Sequence, residues 1–226
     1  MAAEWEGSLA EAARDVIVRR ASYGLELVDV LSGGPLVGSH SVSVDKDAVS
    51  FVVNRSRWVF EDLAAGPATF DVEAANYVPR QVVADGTGDF PEVPPLGSEG
   101  AYVRVEMLPR TGYPFAPTLT RAVGLVRVDP AVDPTSPIVA GADVQLTPEH
   151  VDGGTTSGTV LNTRTTEDGQ YVGWFGADPA LDPPLPNQVD VTAQAVVDGT
   201  PLSGSLSDQP LLPNVVNALP TILLAP

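Results

Sequence analysis

Cysteine is absent from the 226 residues, which excludes disulfides, thiolate nucleophiles, Cys-based zinc sites and thiolate-bound clusters. Lysine is nearly absent: Lys46 stands alone beside eleven arginines, and the 12 basic residues face 29 acidic ones, a formal net charge of −17. A field this negative repels phosphate backbones, which bind by exchanging counterions for Lys and Arg, so no nucleic-acid partner is expected. Anionic membrane surfaces are disfavoured for the same reason. No apolar run approaches the roughly 20 residues of a membrane-spanning helix, so no membrane insertion is expected. The first residues, Met1-Ala2-Ala3-Glu4-Trp5-Glu6, show neither a basic n-region nor an apolar h-region, and the expectation is no signal peptide. Gly-x-Ser-x-Gly and phosphate-cradling Gly-Lys motifs are missing as well. The acid-rich, Lys-poor usage fits two sources equally. One is a halophile, whose molar salt shortens the Debye length to about 3 Å and screens self-repulsion. The other is a GC-rich genome encoding an acidic protein.

What is present is a set of short alternating apolar segments punctuated by 22 Pro and 21 Gly. With 43% hydrophobic residues the chain can build a core, and disorder is not expected. Residues 3–20 carry Trp5, Leu9, Ala12, Ala13 and Val16 at helical spacing, while Val16-Ile17-Val18 also reads as extended. Residues 1–20 are therefore a short arm, helical or extended. From Tyr23 the period becomes two: Tyr23, Leu25 and Leu27 share one face, and Gly24, Glu26 and Val28 the other. Further strands are expected at 39–45, 49–53, 58–60, 68–74, 82–83 and 102–108. The Gly/Pro-rich 85–100 reads as a long loop, mobile or a contact element. Three prolines in 109–117 make that segment a semi-rigid linker. Strands resume at 118–128, 142–146, 159–166, 170–175, 189–196 and 221–224, separated by Pro-rich stretches at 129–137, 178–186 and 209–220.

The fold class this pattern predicts is all-β: two tandem antiparallel β-sandwiches, 21–108 and 118–226, with Trp58 and Trp174 in the middles of their cores.

Candidate chemistry is sparse. His40 alternates with Val42 and Val44 and reads as a strand histidine. Glu149-His150-x-Asp152 lacks a third strong metal ligand. Glu61-Asp62, Glu167-Asp168 and Asp143 could pair as acid and base, but in so acidic a chain neighbouring carboxylates read as a solvated face. Asp178 and Asp182 are separated by Pro179-Ala180-Leu181 and read as a loop rather than a calcium site. No catalytic residue, metal or cofactor is expected. Contact residues for other proteins are expected in the linker, at Arg110, Tyr113 and Phe115, and on the arm, at Trp5, Leu9 and Val16.

The second half runs Gly124-Leu125-Val126-Arg127-Val128-Asp129, then Pro137-Ile138-Val139-Ala140-Gly141-Ala142-Asp143-Val144, then Thr163-Arg164-Thr165-Thr166-Glu167-Asp168-Gly169-Gln170-Tyr171. This resembles the carboxypeptidase-regulatory-like domain, a transthyretin-like (Ig-like) β-sandwich with the pattern G-x-V-x-D, P-(I/L)-x-G-A-x-V, T-x-T-D-x-D-G-x-(F/Y). The first half, through Leu27-Val28-Asp29 and Leu63-Ala64-Ala65-Gly66-Pro67 to Ala74-Ala75-Asn76-Tyr77, resembles the other end of the same pattern. It has Gly-Pro for Pro-Gly and Asn76 where glycine is usual; Asn tolerates a positive φ. The stretch from Val53 to Leu63, with Met107 to Phe115 ahead of a second module, is similar to two-module proteins of phage-tail-like contractile injection particles. The resemblance implies a non-enzymatic structural subunit whose partners are other subunits of a large particle, and a homo-oligomer within it. It also implies assembly in the cytoplasm and release as an extracellular particle. The alternative it leaves open is a loop-based module that recognises carbohydrate or a cell-surface receptor.

Overall fold

Alternation at period two sets the first strand, and it sets most of the others. The computed structural model describes residues 21–53, 56–98, 101–150, 160–175, 189–212 and 214–226. Among these every regular element is a strand: β1 (Ala21–Asp29), β2 (His40–Val44), β3 (Val49–Val53), β4 (Arg57–Glu61), β5 (Ala68–Ala74), β6 (Arg80–Ala84) and β7 (Ala101–Met107). Then follow β8 (Thr120–Val128), β9 (Asp143–His150), β10 (Leu161–Arg164), β11 (Gln170–Phe175), β12 (Val189–Val196), β13 (Ser203–Leu211), β14 (Val216–Ala218) and β15 (Ile222–Leu224). The all-β class is as the sequence predicts; the arm of residues 1–20, with Trp5, Leu9 and Val16, lies outside the described residues.

The strands form sheets of order β3-β4-β1-β7, β2-β5-β6, β10-β9-β12-β13 and β11-β8-β14, with β15 also on β8. The expectation of wholly antiparallel sheets is corrected here. β14 runs parallel to Arg121–Val123 of β8 and β15 parallel to Val126–Val128. Pro220 lies between them, where an absent N–H interrupts any continuous ladder. By contact density the described chain divides into two compact units, 21–27 with 42–70 and 81–105, and 28–41 with 71–80 and 106–226. The boundaries of these units fall within β1, β2, β5, β6 and β7.

In the first unit, Tyr23 and Leu25 of β1 face inward opposite Phe60 and Trp58 of β4. Phe70 of β5 stacks on Tyr23 at 5.1 Å and meets Phe60 edge-on at 5.0 Å, so an aromatic triad, fully buried, fills the middle. Trp58, expected there, sits nearer the start of β4 and stays partly exposed. The loop from Asp85 is partly tied down: Val93 is buried and its carbonyl accepts the Gly66 N–H at 3.1 Å. The single lysine serves the same turn. Lys46 Nζ donates to the carbonyls of Ala64, Ala65 and Gly66 at 3.1–3.4 Å, three acceptors for three donors.

In the second unit, Ala122 and Val126 of β8, Tyr171 of β11 and Ile222 and Leu224 of β15 share one core with Val144 and Leu146 of β9 and Val191, Ala193 and Ala195 of β12. Tyr171 is paired across from Gly124, and a Cβ at Gly124 would lie 2.3 Å from the phenol oxygen. Glycine is what lets the ring lie flat on β8. Asp168-Gly169 makes the expected turn into β11, with Gly169 at φ 67°. Trp174 is buried, yet its ring meets Phe115 (6.2 Å between centroids) outside this core.

Candidate functional site

The segment 109–117 is tied to its surroundings at Pro109, Arg110 and Tyr113. Pro109 bridges Tyr77, and the Arg110 N–H donates to the Asn76 carbonyl at 3.0 Å. The Tyr113 N–H returns to the Arg110 carbonyl at 2.9 Å, a turn that aims the Tyr113 ring inward. Its hydroxyl donates to Asp29 Oδ2 at 2.6 Å. Asp29 is fully buried, and its carboxylate also accepts from the Leu31 N–H at 2.9 Å and the Ser32 hydroxyl at 3.0 Å. A buried carboxylate must be compensated by hydrogen bonds or a cation, and these three donors supply that. Burial pushes the Tyr113 phenol well above its ordinary value, and the bond to and charge of Asp29 push it further. Tyr77, edge-on to Tyr113 at 5.5 Å, is raised by burial too, partly offset by the Val37 N–H it accepts at 2.9 Å.

The aromatic contacts continue from Tyr113 to Phe115 at 4.8 Å and from Phe115 to Trp174 at 6.2 Å, with the Arg121 guanidinium 5.5 Å over the Phe115 ring. Of the expected contact residues in this segment, Tyr113 and Phe115 are each only 9% exposed, with their faces spent inside the chain. Arg110 alone reaches solvent, beside Glu167 at 3.9 Å. Asn76 does not take the positive φ expected of it. It spends its amide on the Val37 carbonyl at 3.0 Å instead.

The carboxylates weighed as acid and base do not converge. Asp143 is held by Arg164 at 3.0 Å, and Glu167 and Asp168 are exposed at the turn before β11. Glu61 is buried, whereas Asp62 takes a turn conformation at φ 56°. Among the described residues no three His, Asp or Glu side chains approach closely enough to hold a metal. His150 lies on β9, paired with Val189. Its loop partner Asp152, like Asp178 and Asp182, lies outside the described residues.

Two surface features remain. The first is an open cleft of about 570 Å³ lined by Ser39, His40, Ser41, Glu73, Arg110 and Glu167, with Ala74, Ala75 and Pro79 as its apolar wall. The second lies around β14, an end strand of its sheet, where Leu212 is 61%, Val216 52% and Val215 43% exposed. Asn217, itself buried, shapes this corner: Oδ1 accepts the Leu212 N–H at 2.7 Å, and Nδ2 donates to the carbonyls of Arg121 and Leu212 at 3.1 and 3.0 Å. Sequence reasoning missed the corner because 209–220 reads as a Pro-rich connection. The available signal was the pair of apolar doublets, Leu211-Leu212 and Val215-Val216, close to a proline and an asparagine that break any alternation.

No protein-family model and no curated protein matches the chain. Among solved structures it is similar to the Bacillus anthracis TIE protein, at 9% identity and a TM-score of 0.29, over 90% of this chain and 34% of that one. It is also similar to a leucine-rich repeat protein from Bacteroides thetaiotaomicron, at 10% identity and a TM-score of 0.23, over 90% of this chain and 26% of that one. The chain thus spans about a third and a quarter of their lengths, and at such scores neither likeness carries an argument.

Proposed function

We propose that the chain is a non-enzymatic structural subunit built from two transthyretin-like β-sandwich modules and mediates protein–protein assembly. The favoured setting is a phage-tail-like contractile injection particle, with other particle subunits and further copies of this chain as partners, assembled in the cytoplasm. The observation that carries the assembly reading is the β14 corner. An end strand offers backbone donors and acceptors to a neighbour, and Leu212, Val215 and Val216 offer apolar area beside it. The exposed large apolar side chains of the described residues are all aliphatic. Carbohydrate recognition draws on stacking aromatic rings, so this surface supports assembly over the alternative of a carbohydrate-binding module. The particle setting rests on the sequence resemblance alone.

The test is fractionation of native lysate at high salt. The chain is expected to co-sediment with a large particle, and Leu212→Asp combined with Val216→Asp is expected to leave it in the monomer fraction with an unchanged melting temperature. A wild-type chain found only as a monomer contradicts the reading.

A further inference from the structure

We infer that the cleft between Glu73 and the Arg110–Glu167 pair is a docking site for an arginine or lysine side chain carried on an extended segment of a partner protein. This goes beyond the assembly reading and stands without it, since it uses different residues. At about 570 Å³ the cleft falls within the volume range of ligand sites, roughly 300–1,000 Å³. Ser41 points to the opposite side of β2 from His40 and Ser39 lies just before the strand, yet all three line it. The cleft therefore wraps the start of that strand, where the Ser39 carbonyl already accepts the Ala75 N–H at 3.0 Å.

Its charge selects the ligand. Two carboxylates and one guanidinium line it, and Arg110 and Glu167 stand 3.9 Å apart, a loose pair. Among the described residues no ion pair engages Glu73. The net charge of −17 repels an anion and draws in a cation. A metal ion is a poor occupant, because the three-carboxylate or histidine grouping it needs is not found among the described residues. An organic cation fits better. The aliphatic stem of Arg or Lys lies along Ala74 and Pro79 while its head reaches Glu73, the division of labour that long basic side chains adopt on mixed surfaces.

The probe is an acetylated, amidated tripeptide with a central arginine, titrated into the isotope-labelled full chain at low ionic strength. Its counterpart carries citrulline, which keeps the shape and loses the charge. Saturable amide shifts are expected at residues 39–41 and 73–75 with the arginine probe, weakened in high salt and much smaller with citrulline. Glu73→Gln is expected to weaken binding about two- to fivefold, the scale of an exposed charge pair. Arg110→Gln has the opposite sign: it frees Glu167 and tightens binding about twofold. Both positions are at least partly exposed, so melting temperatures serve as the folding control. Equal binding of the citrulline probe, no effect of Glu73→Gln, weaker binding in Arg110→Gln, or no saturable shift each overturns the inference. None of these results bears on whether the chain enters a particle.

Discussion

The most demanding single residue is Asp29, a buried carboxylate held by the Tyr113 hydroxyl, the Ser32 hydroxyl and a backbone N–H. Tyr113→Phe removes the shortest of these bonds and leaves the charge under-solvated, so a loss of about 2–3 kcal/mol is expected in urea melts. Restoring a hydroxyl elsewhere would not recover it. The same chemistry sets the alkaline limit. Burial pushes Tyr23 up to about 12, and Tyr77, Tyr113 and Tyr171 are raised as well. A phenol kept neutral in the fold but free to ionise in the unfolded chain contributes stability that is intact below pH 10. That stability drains as pH climbs from the unfolded value toward the folded one. Phenolate absorbance is therefore expected to rise late and together with unfolding, and the melting temperature to fall above pH 10. Four tyrosines ionising near pH 10 in a still-folded chain would refute this.

At the scale of elements, the pairing of β8 with β11 depends on Gly124, over which the Tyr171 ring lies. Gly124→Ala forces the ring off the strand, and a loss of about 1–3 kcal/mol is expected by calorimetry. An unchanged melting temperature would show that the ring has room to move. Strands with strict alternation were legible from sequence: β1 through Tyr23, Leu25 and Leu27, β5 through Phe70 and Val72, and the Asp168-Gly169 turn through its glycine. Strands whose alternation is sparse or broken were not. β13, Ser203–Leu211, has few apolar residues and is not among the expected strands, yet β12 pairs with it along its length. Between Val191 and Ala193 the register slips, with Asp208 at φ 52°, a bulge that no hydrophobic period announces. β9 likewise runs through Pro148, where a sequence reading stops. Among the described residues β10 pairs only with Asp143–Leu146, so β12 is the strand beside Pro148, and the missing N–H interrupts no ladder to β10. At the candidate site Arg110 was legible as a charged residue in a Pro-rich segment. The inward turn of Tyr113 and Phe115 was not, because it depends on Asp29, distant in sequence.

At the scale of the whole molecule the dominant fact is charge. Even if all 12 basic residues were paired, 17 of the 29 acids would remain uncompensated. Self-repulsion falls as salt shortens the Debye length, to about 3 Å at 1 M. The melting temperature is therefore expected to climb through a KCl series into the molar range, and a flat or falling series would remove electrostatic strain from the account. The same repulsion opposes the meeting of copies at low salt, so the proposed assembly is expected at high ionic strength, where the apolar β14 corner can dominate. The central claim is that this chain is a part of a larger body. Electron microscopy of particles purified from native lysate, with and without deletion of the chain, tests it most directly. The account predicts density for two small β modules at symmetry-related positions that vanishes in the deletion. Identical maps, with the chain recovered only as a free monomer, would contradict it.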